Sequence, residues 1–110
     1  MAQESKAKSG ASYTQNVWQV VKQIPKGKVS TYGMIAKKVG IDPRMTGWAL
    51  HANQSADVPC HRVVDRNGRL APNFAFDGWR EQRRRLEVEG VKFKDKMHVD
   101  LEKSLWQHKH

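Results

Sequence analysis

The chain is poor in cysteine, in acidic residues and in long apolar runs, and each shortage excludes something. Its 110 residues hold one cysteine, Cys60, so no internal disulfide can form and a reducing, cytoplasmic setting is expected. One cysteine and scattered histidines lack the paired ligand spacing of a zinc site. Neither a metal nor any other cofactor is expected. No apolar stretch approaches the roughly 20 residues of a membrane span, and no signal-peptide pattern opens the chain. Membrane and secreted classes are therefore not expected. Acidic residues are outnumbered, eleven against twenty Lys and Arg, which gives a net charge of +9 and a pI near 10.0. So small a domain with that excess is drawn to polyanions, nucleic acid first among them. A ribosome-associated or merely soluble basic protein is the competing reading. Anionic membrane surfaces are disfavoured, because no basic segment carries a broad apolar face.

What is present suits one small soluble domain: 38% hydrophobic and 28% charged residues place the chain in the globular range. Residues 1–12 are small, polar and charged and read as a disordered leader, with the domain over 13–106 and a tail at 107–110. Thr14 to Ile24 carries Val17, Val20, Val21 and Ile24 at helical spacing, with Thr14 the expected N-cap. Pro25 to Lys28 is a turn. Ser30 or Thr31 caps a second helix that buries Ile35, Ala36 and Val39 and stops at Gly40. Asp42 caps a third, with Pro43 at its first position, running to about Ala52. Two short helices across a Gly-containing turn have the geometry of a helix-turn-helix.

The third helix is oddly built. Gly47 in its interior costs about 0.5–1 kcal/mol against Ala, so another surface is expected to approach there: a DNA groove or a neighbouring helix. Val58 to Val64 (VPCHRVV) reads as a β-rich run, Asp65 to Gly68 as an Asn-Gly hairpin turn, and Arg69 to Gly78 as a loop. Trp79 to Glu89 is a basic helix closed by Gly90. Val91 to Phe93 and His98 to Leu101 offer an alternating strand pair.

Within that frame Cys60 precedes His61. A thiolate is the nucleophile, so a reactive cysteine needs a group that removes its proton, and a histidine base is generally oriented by a carboxylate. Glu87 and Glu89 are the available ones. Adjacent side chains on a regular strand point to opposite faces, so pairing of Cys60 with His61 needs a turn or a bridging water. The competing reading is a buried structural thiol.

VPCHRVV resembles the active-site motif of the O6-alkylguanine-DNA alkyltransferases. IPKGKVSTYGMIAKKVG, the Arg44 helix, Asn53, PCHRVVDRNG and RRRLEVEGV follow in that family's order and spacing, from about Val17 to Val91. On that resemblance, the family's DNA-binding and catalytic domain is expected without its N-terminal domain. The resemblance implies a small α/β domain, mainly helical, with a winged-helix-like helix-turn-helix and short β-hairpin elements. It implies that a nucleotide is flipped from duplex DNA, since guanine O6 is inaccessible inside the stack. Cys60 would then take the alkyl group irreversibly and without cofactor. His61 would be the base, acting through a water and oriented by Glu89, with Asn53 steadying the loop. Tyr32 would press on the phosphate beside the target, and Arg44 would fill the vacated space. Thr31, Met45, Gly47 and Trp48 would meet the minor groove; Leu50, Pro59, Phe74, Phe76 and Trp106 would line the lesion pocket. Singly each has a structural reading, Tyr32 as a core aromatic, Arg44 as a solvated cap, Asn53 as a helix C-cap. Together, in family order, they favour the functional one.

Two branches of the family divide at this point. Transferases keep the cysteine; alkyltransferase-like proteins are short, have usually replaced it, and hand the lesion to nucleotide excision repair. Cys60 argues for transfer, whereas the single-domain length, EQRRRLEVEGV and the ending VDLEKSLW resemble the second branch, in which a C-terminal aromatic enlarges the pocket. Met45 and Trp48 stand where the family often has small groove-facing residues, and LAPNFAFDG lacks the usual glycine- and tyrosine-rich character. Suicidal transfer by a monomer acting on DNA that contains O6-alkylguanine is the expectation. A lesion sensor that recruits excision-repair proteins is the alternative, and a basic RNA- or ribosome-binding module the third.

Overall fold

The computed structural model describes residues 10–53, 55–74 and 77–107. The expected tail beyond residue 107 and most of the leader lie outside them. The first helix, α1 (Gly10–Lys22), begins within the expected leader and runs through Thr14 rather than being capped there. No breaker stands between Ala11 and Tyr13, and the stripe Val17, Val20, Val21, Ile24 is buried as a unit, so its packing carries the polar turn ahead of it into the helix.

After the turn at 25–28, β1 (Ser30–Thr31) leads directly into α2 (Tyr32–Val39). Thr31 Oγ1 accepts the Met34 amide at 3.1 Å. Gly40, at φ 88°, ends α2 in a left-handed conformation that favours glycine. Asp42 Oδ1 accepts the Arg44 amide at 2.9 Å and starts α3 (Pro43–Ala52), with Pro43 in its first turn. Helices α1, α2 and α3 pack around one apolar cluster of Val17, Val20, Val21, Ile24, Ile35, Ala49, Val58 and Val63. Trp18 Nε1 donates to the Ala49 carbonyl at 2.8 Å and fixes α1 on α3.

The β-rich run divides. Cys60–Arg62 is one turn of 3-10 helix, and only Val63–Val64 forms a strand, β2. It pairs in parallel with β1, Ser30 beside Val63 and Thr31 beside Val64. The Asn-Gly turn does not close a hairpin on β2. It delivers Gly68 to Leu70 to the segment 97–99, through Val99 N to Gly68 O at 2.8 Å and Leu70 N to Met97 O at 2.8 Å. Gly68 is required there: its φ is 86°, and a Cβ would sit 2.6 Å from the Val99 carbonyl oxygen.

Helix α4 (Trp79–Val88) follows, and Leu86 with Val29, Val64, Leu70, Val91 and Val99 makes a second apolar cluster. The expected strand pair near the C-terminus is present as the antiparallel bridge Phe93↔Val99. Leu101 does not extend it. Asp100 Oδ1 accepts the Glu102 amide and starts a short helix, α5 (Leu101–Ser104), that the sequence reading did not anticipate. Val29 then ties the chain end down: its amide donates to Ser104 O at 2.9 Å and its carbonyl accepts from the Trp106 amide at 2.8 Å. Among the described residues the result is five α-helices and a two-stranded parallel sheet. Among the described residues no helix is long and apolar enough to cross a membrane.

Candidate active site

Pairing of β1 with β2 sets two short stretches side by side: Tyr32, the first residue of α2, and the 3-10 turn that begins at Cys60. Both line a cavity of about 140 Å³ with Gly47, Leu50 and Phe74. Cys60, Leu50 and Phe74 also line a larger cavity of about 860 Å³, together with Asn53, His61 and Arg85. The larger volume lies in the roughly 300–1,000 Å³ range of small-molecule sites. The half-buried thiol thus sits where a narrow opening beside α3 meets a broad one.

Asn53 Nδ2 donates to Cys60 Sγ at 3.5 Å and to the Ser55 carbonyl at 2.9 Å, while its Oδ1 accepts the Ser55 amide at 3.1 Å. One amide therefore ties the end of α3 to its following loop and to the sulfur. The thiol faces the Leu50 carbonyl at 4.0 Å. Burial pushes the Cys60 pKa up, an effect only partly offset by the Asn53 hydrogen bond. The thiol is therefore protonated at rest. Tyr32 is also pushed up, by burial and then by the charges of Asp65 and Cys60, so its hydroxyl keeps its proton.

Behind the sulfur is a compact ionic group. His61 Nε2 lies 2.8 Å from Glu89 Oε2, and Arg62 closes a two-pronged pair on the same carboxylate, Nε to Oε1 at 2.9 Å and Nη2 to Oε2 at 2.8 Å. Arg62 Nη1 also donates to the Ile24 carbonyl at 2.8 Å. His61 and Arg62 are chain neighbours, and on a flat strand they would point apart. The 3-10 turn is what lets both reach one carboxylate. Burial raises Glu89, but hydrogen bonds from Arg62 and His61 and their charges outweigh it, leaving its pKa below the ordinary value. An ionised Glu89 accepts only, so His61 carries its proton on Nε2 and leaves Nδ1 as an acceptor. Burial lowers the His61 pKa and prevails over the support of Glu89, so the imidazole is neutral. Glu87, the other carboxylate considered, pairs with Arg83 at 3.1 Å instead. Among the described residues, no hydrogen bond joins Cys60 to His61 directly.

Other expected residues divide into three groups. Phe74 lines both cavities, and the Arg85 guanidinium lies 5.2 Å from its ring centroid; Phe76 lies outside the described residues. Pro59 lines the larger cavity and turns the chain at φ −79°, ψ 70°. Trp106 lines neither cavity at Cys60. The Val29–Leu105 bridge pulls the chain end alongside β1, and the indole packs on the first apolar cluster. On the outer side, Arg44 and Trp48 are exposed, Met45 is half-buried, and the Arg44 guanidinium meets Asp42 at 3.2 Å. Thr31 is buried and its hydroxyl is spent on capping α2, so it positions Tyr32 rather than presenting a free group. A Cβ built on Gly47 meets nothing within 4 Å. Close packing against another helix of this chain is therefore not the reason for that glycine.

Sequence reasoning missed Arg62, Arg85 and Gln82. Gln82 is fully buried, donates to the His61 and Val63 carbonyls at 3.1 and 3.0 Å, and accepts the Ala71 amide at 2.7 Å. It holds the reactive turn against α4. Its signal was its place on the inward stripe Trp79, Gln82, Leu86 of an otherwise charged helix. Among the described residues, no group of three His, Cys, Asp or Glu is arranged to hold a metal.

Residues 12–91 match the family described as the DNA-binding domain of 6-O-methylguanine DNA methyltransferase. The chain belongs to that family. It is 34% identical to a DNA base-flipping protein of Escherichia coli over 98% of this chain and 84% of that one. It is 42% identical to alkyltransferase-like protein 1 of Schizosaccharomyces pombe over 68% of this chain and 72% of that one. Its fold superposes on S. pombe Atl1 in complex with damaged DNA containing O6-carboxymethylguanine, with a TM-score of 0.78 and 30% identity over 98% of this chain and all of that one. The chain spans about half the length of the curated archaeal methyltransferases it matches, 43% of one from Methanosarcina acetivorans and 50% of one from Methanocaldococcus jannaschii.

Proposed function

We propose that this protein binds duplex DNA with the exposed face of α3 in the minor groove, turns an O6-alkylguanine out of the stack into the cavity at Cys60, and takes the alkyl group onto that sulfur in one irreversible step. The observation that carries the reading is the position of Cys60 Sγ at the junction of the two cavities, with Asn53 on it and the fixed, neutral His61 behind. The net charge of +9 supplies sequence-independent phosphate attraction through counterion release. Arg44, exposed at the start of α3, fills the space the nucleotide leaves; Tyr32, which lines the narrow cavity, presses on the neighbouring phosphate. Phe74 and Leu50 close on the extruded base.

The chemistry balances without a cofactor. Sulfur attacks the alkyl carbon, the S–C bond forms as the C–O6 bond breaks, and the electron pair goes to the base. The thiol proton passes through a bridging water to His61 Nδ1, the guanine anion takes up one proton from water, and the imidazolium returns its proton to solvent, so neutral guanine and neutral His61 are restored. General-base catalysis by His61 in such a step is worth about 10²–10⁴ when proton removal is rate-limiting, and Glu89 fixes the tautomer that it uses. The same reading has the protein working as a monomer in the reducing compartment where the DNA lies.

A second reading has one observation in its favour: among the described residues no hydrogen bond joins the thiol to His61, the base that transfer needs. It makes the protein a sensor that binds O6-alkylguanine and recruits nucleotide excision repair, with Cys60 unused. Intact mass spectrometry after incubation with duplex containing O6-methylguanine separates the two. A gain of one methyl, absent in Cys60→Ala, supports transfer. Lesion-selective binding with unchanged mass supports the sensor. Equal affinity for damaged and plain duplex overturns both and favours a general basic binding module.

A further inference from the structure

The outer face of α3 carries a feature that transfer chemistry does not require. Residues Arg44, Gly47, Trp48 and His51 recur at intervals of three and four and so share one side of the helix, opposite the buried Thr46 and Ala49. Arg44, Trp48 and His51 are exposed, and 59% of Trp48 is in contact with solvent. The other tryptophans are half-buried, Trp18 hydrogen-bonded to the Ala49 carbonyl, Trp79 under Arg80, Trp106 against the core. An indole offers some 150–250 Å² of apolar surface, and here most of it is in water beside a glycine whose Cβ direction is empty. A second copy of this chain is a poor occupant for the face, because the stripe holds no acidic residue to meet Arg44 of a like-charged partner.

We propose that Trp48 is an apolar wedge that enters the minor groove one helical turn beyond Arg44 and unstacks a base step next to the vacated one. The inference rests on the DNA-binding reading above and adds to it a second inserted residue. One turn of helix advances about 5.4 Å and one base step about 3.4 Å, so Arg44 and Trp48 address positions one to two steps apart. Inserted apolar side chains are the usual device of minor-groove binders, which offset lost base stacking by bending the duplex onto more protein surface. Gly47 leaves the backbone beside the ring bare, so the helix can approach closely enough for the ring to reach the bases. The contact is sequence-tolerant, because every base has a face on which an indole can lie.

The test compares wild type, Trp48→Ala and Trp48→Phe on plain duplex and on duplex with one O6-methylguanine, reading affinity by anisotropy over a salt series. A 2-aminopurine placed one or two steps from the lesion reports unstacking. Trp48→Ala is expected to bind both duplexes about 10-fold more weakly, with unchanged salt slope, unchanged melting temperature and loss of the 2-aminopurine brightening. Trp48→Phe retains most of each signal. Wild-type lesion binding with Trp48→Ala matching it in affinity and brightening overturns the wedge alone. A fall in the salt slope of Trp48→Ala also overturns it, because that marks lost phosphate contacts. Wild type that does not bind DNA overturns the wedge together with the function proposed above.

Discussion

Replacing Glu89 by glutamine tests the ionic group behind Cys60 in two independent readouts. The carboxylate accepts from His61 at 2.8 Å and from Arg62 at 2.9 and 2.8 Å, with side chains only 12–14% exposed. Glutamine keeps the shape but turns an NH2 toward one of these donors. Arg62 is then left with a charge partly buried and unpaired. Breaking one partner out of a buried pair costs about 3–5 kcal/mol; some solvent reaches this group, so about 2–3 kcal/mol is expected. At roughly 4–8 °C per kcal/mol for a domain near this size, the melting temperature falls by about 10–20 °C, and the protein still folds at 25 °C. Transfer falls further than stability implies. Without an ionised acceptor on Nε2 the imidazole loses its fixed tautomer, and the single-turnover rate of methyl transfer drops by about 10²-fold. Rapid-quench assays at 20 °C measure the rate, and anisotropy shows lesion affinity unchanged within about two-fold. A normal transfer rate in a destabilised variant would mean that Glu89 only braces Arg62. Normal stability and normal rate together would refute the network.

The remaining predictions follow from the same contacts. Burial lowers the pKa of His61 from 6.5, so at higher pH the imidazole is neutral in both folded and unfolded chains. As pH falls through 6.5 the unfolded chain binds the proton first, and stability declines until the lower folded value is reached. Urea melts at pH 7.5 and 5.5 are expected to show that loss, and His61→Gln to remove it; an equal loss in the variant refutes the assignment. Gln82→Leu strands the His61 and Val63 carbonyls and the Ala71 amide, at about 2–4 kcal/mol in total; denaturant midpoints within error of wild type would show that water replaces the amide. Arg44→Ala should reduce lesion selectivity more than affinity for plain duplex. Lys37→Ala should weaken both alike and lower the salt slope by about one. Equal losses on both duplexes for Arg44→Ala would refute its extrahelical role.

Much of this architecture could be read from residue order, for reasons that are local. Helix ends depend on a few neighbours: Thr31, Gly40 and Asp42 act within three or four residues, and each is where capping chemistry puts it. Features decided at a distance were not legible. The run around Cys60 has β-forming residues, yet it turns as a 3-10 helix because His61 and Arg62 must both meet Glu89. The Asn-Gly turn was recognised, but the partner of its outgoing segment, residues 97–99, is set by the second apolar cluster and not by the turn. Gln82 could have been placed on the inward stripe of α4, but its role could not be read, since its three bonds go to backbone groups in other parts of the chain. Trp106 was expected at the pocket from the family's second branch; the Val29 ladder sets its backbone, and its indole packs on the same apolar cluster as Cys60 and Leu50. Phe74 and Phe76 had equal claims in the sequence; Phe74 lines both cavities, and Phe76 lies outside the described residues.

The ionic group also bears on which branch of the family this chain follows. Arg62 alone accounts for a structural role: its pair with Glu89 and its bond to Ile24 fasten the 3-10 turn to the end of α1. If fastening were all, a histidine on the same carboxylate would be a liability, because burying a neutral imidazole opposes folding whenever the unfolded chain is protonated. That cost is offset if the imidazole must be unprotonated and fixed in one tautomer when a base arrives. The thiol fits the same logic. Held protonated by burial, Cys60 is a poor target for stray electrophiles and oxidants, which react with thiolates, and a one-use sulfur that reacted before meeting its lesion would be wasted. On the transfer reading, insertion of the purine would leave the sulfur against the alkyl carbon, with the bridging water retained as the proton's route to His61 Nδ1. A pure sensor needs the cavity but neither the sulfur nor the tautomer. Replacing His61 with phenylalanine therefore discriminates: lesion affinity that holds while methyl gain slows about 100-fold or more places the chain with the transferases, and wild-type mass gain in that variant would refute the argument.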